Sequence, residues 1–284
     1  MMKKTGLISA GIAWLLTAGT AQAASDAFKV CADPNNPPYS DQKGGGFENK
    51  IAELFAGELD KKLVYTWFPQ RMGFIRNTLK AKEPESEDYK CDVVMGLPTG
   101  FDQAATTKPY YRSTYALVYV KKKGWDDVHS AAALDTLPPE RKAKLRIAMF
   151  DGSPATTWML KHNLVEQGVP YQSMTADAAV NTTQTVEKEL LAGNIDMAIV
   201  WGPMAGYLVY HNKPGTFALI PMQSEEGVRF DYAMSMGVRI PDKARKEQLE
   251  ALIDKKAPEI EALLRKYHVP LLDKDGKLLT PAEE

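Results

Sequence analysis

The chain has 284 residues, of which 35 are Lys or Arg and 36 are Asp or Glu, so its formal net charge is -1. This balance argues against nucleic acid or an anionic membrane surface as the partner. The length exceeds the usual ~100–200 residues of one domain, so we expect two.

The first 23 residues have the pattern of a secretory signal peptide. Lys3 and Lys4 precede an apolar run, 7–18, and the small residues of 20–23 are those that a signal peptidase reads. The apolar run is shorter than the ~20 residues that span a bilayer. We therefore expect cleavage after Ala23 and a mature protein free in the periplasm, without a membrane span.

Apolar runs typical of β-strands then alternate with amphipathic segments. Ile51, Leu54, Phe55 and Leu59 stand at helical spacing. In the first half, the predicted strands are 28–32, 64–68 and 93–97, and the predicted helices are 47–63 and 74–79.

The alternation restarts near residue 115. Pro154 suits the start of a helix, where its missing N–H costs little. The alternation favours an α/β fold with parallel strands and helices on the faces of the sheet. In the second half, the predicted strands are 115–120, 145–150, 195–200, 217–221 and 232–238, and the predicted helices are 153–164, 185–191, 243–253 and 258–267.

Two cysteines, Cys31 and Cys91, follow the predicted cleavage site. A lone pair in an oxidising compartment is more often bonded than free, and both residues lie at segments predicted as neighbouring strands. A disulfide is the favoured interpretation, with free thiols as the alternative. No metal site is expected, because two sulfurs without a nearby His pattern do not make a zinc site.

The sequence offers little that indicates catalysis. The four histidines, His129, His162, His211 and His268, are scattered, and none is spaced as one of a pair of metal ligands. Nucleophile-elbow, phosphate-loop and dinucleotide motifs are missing. We therefore expect a binding protein rather than an enzyme.

Aromatic residues lie at or just beyond the predicted strand ends. Ligands of open α/β sheets bind outside the carboxyl ends of the strands, and pockets favour aromatic linings. Any one of these residues could equally belong to the core, but together they predict an apolar cleft. The residues expected to face the cleft or a partner are Tyr39, Phe47, Trp67, Arg71, Met72, Phe74, Tyr110, Tyr111, Trp158 and Trp201.

Six segments carry a resemblance to the extracellular solute-binding proteins of the amino-acid-receptor family: 31–40, 46–48, 91–96, 108–111, 193–198 and 267–270. The resemblance implies a two-lobed periplasmic binding protein of type II, each lobe a mostly parallel sheet flanked by helices. Two crossing strands would join the lobes near 112–114 and 227–231. Lobe 1 would comprise 24–113 and 231–284, and lobe 2 would comprise 114–230.

Two departures from this family disfavour an ordinary amino acid as the ligand. Receptors of the family carry an Arg upstream of the Pro-Tyr-Tyr sequence, whereas this chain has 99–102, Thr-Gly-Phe-Asp, in that region. Trp201 stands near the place of the Asp that holds the ligand's ammonium group. Both partners of the charge-assisted hydrogen bonds that bind a zwitterion are thus missing.

A narrower resemblance is carried by 30–36, 46–49, 65–71, 74–79 and 91–96. These segments are similar to the quinoprotein-dehydrogenase-associated periplasmic binding proteins, the MoxJ/XoxJ-like accessory proteins of methanol oxidation. The resemblance implies a monomer that helps to assemble or activate a methanol dehydrogenase dependent on pyrroloquinoline quinone (PQQ), of the calcium or the lanthanide type. No cofactor would be bound permanently. The dehydrogenase, a part of it, or PQQ would occupy the cleft.

Two other functions stay open at this point. One is the receptor of an ABC transporter for a small solute other than an amino acid. The other is a periplasmic lyase on the same scaffold, which is disfavoured because no base is spaced to act on an activated substrate. The missing Arg and the presence of Trp201 favour the accessory role over the receptor.

Overall fold

The computed structural model describes residues 26–172 and 179–279. The predicted signal peptide, 1–23, and its cleavage site lie outside these described residues. Within them, no helix has both the length and the apolar character needed to cross a membrane.

Short strands and helices alternate along the chain. The elements of the first half are β1 (Ala27–Ala32), β2 (Asn35–Asn36), β3 (Ser40–Asp41), α1 (Phe47–Glu58), β4 (Lys62–Trp67), α2 (Phe74–Asn77), β5 (Val93–Pro98) and β6 (Ala105–Val120). Those of the second half are α3 (Pro139–Lys142), β7 (Ile147–Phe150), α4 (Pro154–Lys161), β8 (Gly168–Tyr171), α5 (Thr182–Ala192), β9 (Met197–Trp201), α6 (Gly202–His211), β10 (Phe217–Pro221), β11 (Asp231–Val238), α7 (Lys243–Lys255) and α8 (Ala257–Lys266), with 3-10 helices at Ala131–Thr136 and Val165–Gln167.

One continuous sheet runs through the molecule in the order β4-β1-β5-β11-β6-β9-β7-β8, with β10 also paired to β6. The outer strands pair in parallel: β1 with β4 and β5, and β7 with β8 and β9. Near the middle the pairing is antiparallel, β11 with β5 and β6, and β6 with β9 and β10. The mixed sheet flanked by helices confirms the predicted α/β fold.

The long strand β6 belongs to both halves of this sheet. Its residues up to Thr114 pair with β11, and from Tyr115 onward they pair with β9 and β10. We use lobe 1 for β1–β5, the first half of β6, β11, α1, α2, α7 and α8, and lobe 2 for the rest. The lobe limits expected from the sequence, 24–113 with 231–284 and 114–230, stay predictions.

Each lobe has its own hydrophobic core. In lobe 1, Phe28 of β1 and Phe55 of α1 pack with residues of β5, β11, α7 and α8. In lobe 2, side chains alternate across the sheet as strand geometry requires, so Leu117 faces the layer with α4 and Val118 faces the layer with α5 and α6. The two cores are separate, and the cleft lies between them.

Cys31 and Cys91 form a disulfide with an S–S distance of 2.04 Å, which confirms the predicted pairing. The bond joins β1 to the chain just before β5, its neighbour in the sheet. It closes a loop with a sequence separation of 60 residues. In the chain-entropy account, a loop of that length stabilises the folded state by about 4 kcal/mol.

Most predicted elements exist with shifted ends. The helix predicted over 47–63 ends at Glu58, because Asp60 adopts a positive φ of 50° and turns the chain into β4. Helix α6 was not predicted: Gly202 and Pro203 at its start obscure the helical pattern, although Pro is well suited to a first turn. Strand β8 and the small β2–β3 hairpin were also not predicted.

A buried arginine ties β11 to the loop that carries the disulfide. The Arg239 guanidinium donates to the carbonyl oxygen of Cys91 (2.6 Å) and pairs with the carboxylates of Asp92 (2.9 Å) and Asp242 (2.6 Å). It also lies over the ring of Tyr89, 4.0 Å from the centroid. With 9% of Arg239 exposed, these contacts offset the cost of burying its charge.

We predict that Arg239→Ala lowers the free energy of unfolding by about 3 kcal/mol, because the partly buried carboxylates of Asp92 and Asp242 lose their shared partner and Asp92 keeps only the longer contact with Arg245, at 3.7 Å. Urea denaturation measures the change. Lys246→Ala, which removes an exposed pair with Glu250 at 3.6 Å, is the control and should change it by less than about 0.5 kcal/mol. Equal stability of the two variants would contradict the assigned role of Arg239.

Candidate functional site: the cleft between the lobes

A first cavity of about 420 Å³ lies in the cleft between the lobes. Lobe 1 contributes most of its wall, and β6 and β9 of lobe 2 close it from the other side. Such a volume suits a side chain or a small organic molecule. The lining residues are Asn36, Tyr39, Glu48, Gln70, Gly96, Pro98, Tyr115, Trp201, Tyr232 and Met234.

A second cavity of about 350 Å³ continues from the first into lobe 2. The two share Asn36, Tyr115 and Trp201, and the second also reaches the first turns of α4 and α5. Its lining residues are Asn36, Tyr115, Phe150, Asp151, Gly152, Ser153, Thr182, Thr183, Ile199, Val200, Trp201 and Met204.

Three aromatic rings form one wall of the first cavity. The ring centroids of Tyr115 and Trp201 are 5.5 Å apart, those of Trp201 and Tyr232 are 5.8 Å apart, and those of Tyr115 and Tyr232 are 6.4 Å apart. Strand pairing places them, because Tyr115 of β6 lies opposite Trp201 at the end of β9. Contacts among three different strands hold this aromatic wall in a defined shape.

The charged residue of the first cavity is Glu48, in the first turn of α1. That turn packs on the chain before it: the N–H groups of Phe47 and Glu48 donate to the carbonyl oxygens of Pro38 and Tyr39, both at 2.9 Å. Gly46 permits this approach, since a Cβ at that position would lie 2.0 Å from the Tyr39 oxygen. The local turn therefore fixes where the carboxyl group of Glu48 points.

Glu48 is 9% exposed, and its carboxyl group packs against strand β5. A Cβ at Gly96 would come within 2.1 Å of the Glu48 Oε1 atom, so only glycine leaves room for the carboxyl group there. Burial raises the pKa of Glu48 to about 8, and no cationic side chain counters the shift. Glu48 is therefore mostly protonated at neutral pH while the cavity is empty.

Tyrosines lie around this carboxyl group: Tyr111 is buried, and Tyr39 and Tyr110 are partly buried. Burial raises the pKa values of Tyr39, Tyr110 and Tyr111 well above the ordinary value, with the Glu48 charge as a further contribution. The hydroxyl group of Tyr110 has no hydrogen-bond partner among the described residues. The environment of Glu48 is thus aromatic and poorly hydrated.

An asparagine bridge joins the lobes across the cleft. The Asn181 amide, at the start of α5, donates to the Asn36 side-chain oxygen (3.2 Å) and to the Asn35 carbonyl oxygen (3.3 Å). Asn36 in turn donates to the Gln70 side chain at 3.0 Å. In lobe 1, the Asp33 carboxylate holds the segment with Asn35 and the loop with Gln70 in place, because it accepts hydrogen bonds from the backbone N–H groups of both residues.

Known proteins resemble the whole described chain. The periplasmic binding protein XoxJ from Methylobacterium extorquens AM1 superposes with a TM-score of 0.67 at 34% sequence identity, over 87% of this chain and 100% of XoxJ. The chain belongs to the MoxJ/XoxJ family of periplasmic binding proteins. Protein MoxJ of Paracoccus denitrificans is 29% identical over 280 residues, which cover 93% of this chain and 95% of MoxJ.

More distant structures share the fold with the MoxJ/XoxJ family. The ancestral amino acid-binding protein AncCDT-1, a precursor of cyclohexadienyl dehydratase, has a TM-score of 0.57 at 15% identity, over 85% of this chain and 95% of that one. At that identity the likeness shows the two-lobed fold alone. No protein-family model matches the sequence.

Some of the predicted site residues meet at the cleft of this family member. Tyr39 and Trp201 line the first cavity, and the Tyr110 ring contacts that of Tyr111 at a centroid distance of 4.9 Å next to it. Arg71 and Met72 directly follow the lining residue Gln70 along the chain, and Met72 is 90% exposed; neither lines the two cavities.

The structure places other predicted residues away from the cleft wall. Phe47 is fully buried among lobe 1 aromatics, because the first turn of α1 faces the core. Phe74 packs in the cluster around the disulfide. Trp158 lies on the inner face of α4, in the lobe 2 core, and stacks on His162. Trp67 stacks on Tyr65 with centroids 4.5 Å apart.

Sequence reasoning did not assign several lining residues, of which Glu48 is the most informative. Its signal was present, since Glu48 stands three, four and seven residues before Ile51, Ala52 and Phe55 on the buried face of α1. An acid on an apolar helix face is unusual and indicates a special role. For Asn36 and Tyr232 no local pattern is informative, because they reach the cavity through tertiary contacts.

We predict that Glu48→Gln stabilises the protein near neutral pH. The raised pKa means that the folded protein keeps a proton that the unfolded chain loses, so the contribution of Glu48 to stability is fully present below about pH 4.5 and is lost as the pH rises towards 8. Glutamine stays neutral, and at pH 7 the variant should be more stable by about 2–3 kcal/mol.

Denaturation at several pH values measures this difference. Glu53→Gln is the control, because Glu53 is an exposed acid of the same helix that pairs with Lys50. Its free energy of unfolding should depend on pH as that of the wild type does. A Glu48→Gln curve parallel to that of the wild type would show that Glu48 ionises normally in the folded protein.

We predict that Asn36→Ala favours separation of the lobes, because it removes the Asn181–Asn36 hydrogen bond. One such bond contributes about 1 kcal/mol, so the ratio of open to closed molecules should rise about fivefold. Distances between spin labels at the exposed positions 80 and 188, one in each lobe, measure this ratio. Asn194→Ala, which removes a 2.9 Å bond to Glu189 inside lobe 2, is the control, and equal distance distributions for the two variants would contradict the assignment.

Proposed function

We propose that this protein is a periplasmic accessory protein of methanol oxidation, which assists the assembly or activation of a PQQ-dependent methanol dehydrogenase through its inter-lobe cleft. The observation that carries the proposal is the membership of the MoxJ/XoxJ family, together with an aromatic cleft whose described lining holds no Lys or Arg. Export to the periplasm is part of the proposal.

The cleft is poorly suited to the ligand of an amino-acid receptor. Where those receptors carry their Arg, Thr99 bonds instead to strand β11, with its hydroxyl group 2.7 Å from that of Ser235. Trp201 stands near the place of the acid that would hold an ammonium group. A zwitterion would therefore lack its two usual charged partners.

A segment of the dehydrogenase fits this cleft better. Aromatic side chains dominate the energetics of protein interfaces, and the rings of Tyr115, Trp201 and Tyr232 are half-buried and pre-arranged. Met72, two residues after the lining residue Gln70, exposes 90% of its surface.

PQQ is the second candidate occupant. Its three carboxylate groups require cationic or N–H partners, whereas the described lining residues include the two acids Glu48 and Asp151 and no Lys or Arg. The starts of α4 and α5 in the second cavity are the part of the cleft suited to a carboxylate. This lining does not fit a tricarboxylate, so we propose no step that passes through PQQ.

The alternative function is the receptor of an ABC transporter for a small solute. Affinity capture of the tagged mature protein from the periplasm of its methanol-grown host distinguishes the two. A methanol dehydrogenase subunit in stoichiometric amount supports the accessory role. A single small solute without the dehydrogenase supports the transporter and overturns the proposal.

We predict that Trp201→Ala weakens binding of the purified methanol dehydrogenase at least about tenfold, because truncation of a central aromatic residue commonly costs 2 kcal/mol or more. Biolayer interferometry measures the affinity, and circular dichroism checks the fold. Tyr210→Ala alters an exposed aromatic residue outside both linings and should bind as the wild type does. Unchanged binding by Trp201→Ala would exclude the aromatic wall as the contact.

A further inference from the structure

The first cavity has a buried carboxyl group without a counter-charge. Glu48 is 9% exposed, borders the cavity, and owes its shifted pKa to burial, with no cationic contribution. The proposed function leaves this residue without a role. Because burial of an acid in an apolar site is costly, its presence indicates a ligand group that pairs with it.

The rings around this carboxyl group favour a cation as that group. Tyr39, Tyr115, Trp201 and Tyr232 all border the cavity, and the faces of such rings attract positive charge. The wall already attracts one cation on its exposed side, where the Arg229 guanidinium lies 4.9 Å from the centroid of the Tyr232 ring. Aromatic faces and one carboxylate together are the usual surroundings of an ammonium group.

Other ligand chemistries fit less well. An anionic group would bring a negative charge into a lining whose described residues include no Lys or Arg, next to a second acid, Asp151, in the adjoining cavity. A wholly apolar group would leave the carboxyl group of Glu48 desolvated and unpaired. A cationic nitrogen satisfies both the acid and the aromatic faces.

We propose that the first cavity binds an alkylammonium group, with Glu48 as its counter-ion and the rings of Tyr39, Trp201 and Tyr232 around it. This inference deepens the proposed function and rests on it only in taking the inter-lobe cleft as the binding site. The ammonium group belongs either to a lysine side chain of the dehydrogenase or to a small organic amine.

Binding of this group is linked to proton release. Glu48 is protonated in the empty cavity at neutral pH and must ionise to pair with the ammonium ion, so affinity should rise by up to about tenfold per pH unit between pH 6 and 8. The other titratable groups near Glu48 are Tyr39, Tyr65, Tyr110 and Tyr111, whose pKa values are all raised. These tyrosines stay neutral over this range, and the Arg229 guanidinium packs on the Tyr232 ring.

Calorimetric titration of the mature protein with n-butylammonium tests the proposal, with n-butanol and butyrate as neutral and anionic probes of similar size. We expect n-butylammonium to bind most tightly, with release of close to one proton at pH 7. At pH 8, Glu48→Gln should weaken its binding at least about tenfold. Glu53→Gln should bind as the wild type does, and thermal melts confirm that each variant is folded.

Three results would overturn the inference: no binding of n-butylammonium, equal affinity in Glu48→Gln, or a preference for butyrate. Competition between n-butylammonium and the purified methanol dehydrogenase identifies the source of the ammonium group. Displacement of the dehydrogenase by n-butylammonium indicates a lysine side chain. Amine binding by a protein that does not bind the dehydrogenase indicates a small amine, and then the accessory role fails while the ammonium site stands. Dehydrogenase binding that is unaffected by n-butylammonium and by Glu48→Gln leaves the accessory role intact and shows that the dehydrogenase does not occupy the ammonium site.

Discussion

The strand β6 is the constraint on which the rest of this molecule depends. It pairs with β11 in lobe 1 up to Thr114 and with β9 and β10 in lobe 2 from Tyr115 onward. At the switch, the hydroxyl groups of Ser113 and Thr114 donate to the carbonyl oxygens of Pro270 and Met222, both at 2.7 Å. The chain passes between the lobes here and again just before β11, where the N–H of Tyr115 donates to the Phe230 carbonyl oxygen, so these two adjacent crossings constrain how the lobes move relative to each other.

The cleft is built at some cost to stability, as functional sites commonly are. Glu48 is buried without a cation, and two glycines, Gly46 and Gly96, are required so that its helix turn and its carboxyl group fit. Elsewhere in lobe 1 the Cys31–Cys91 disulfide and the Arg239 network supply compensating stability. The stabilising contacts thus lie at the back of the lobe, away from the surface that meets a ligand.

The sequence predicts the α/β alternation and the disulfide because both follow from local pattern and compartment. The sequence predicts this strand over 115–120, whereas β6 begins at Ala105. Pro109 hides the first part of the strand from the sequence pattern. In the structure, a register shift of β11 between Met234 and Ser235 accommodates this proline. Which face of a helix meets the cleft is a tertiary property. For that reason Phe47 and Trp158 were expected at the cleft but lie in the cores, while Asn36 and Tyr232 were not assigned.

The asparagine bridge has a kinetic consequence. Asn36 borders both cavities and is hydrogen-bonded to Asn181 of the opposite lobe. The bridge therefore lies beside both cavities and links the two lobes. A group that fills both cavities contacts both lobes, so its release is coupled to the opening of this bridge. The residence time of such an occupant then depends on the rate at which the lobes separate as well as on its own contacts.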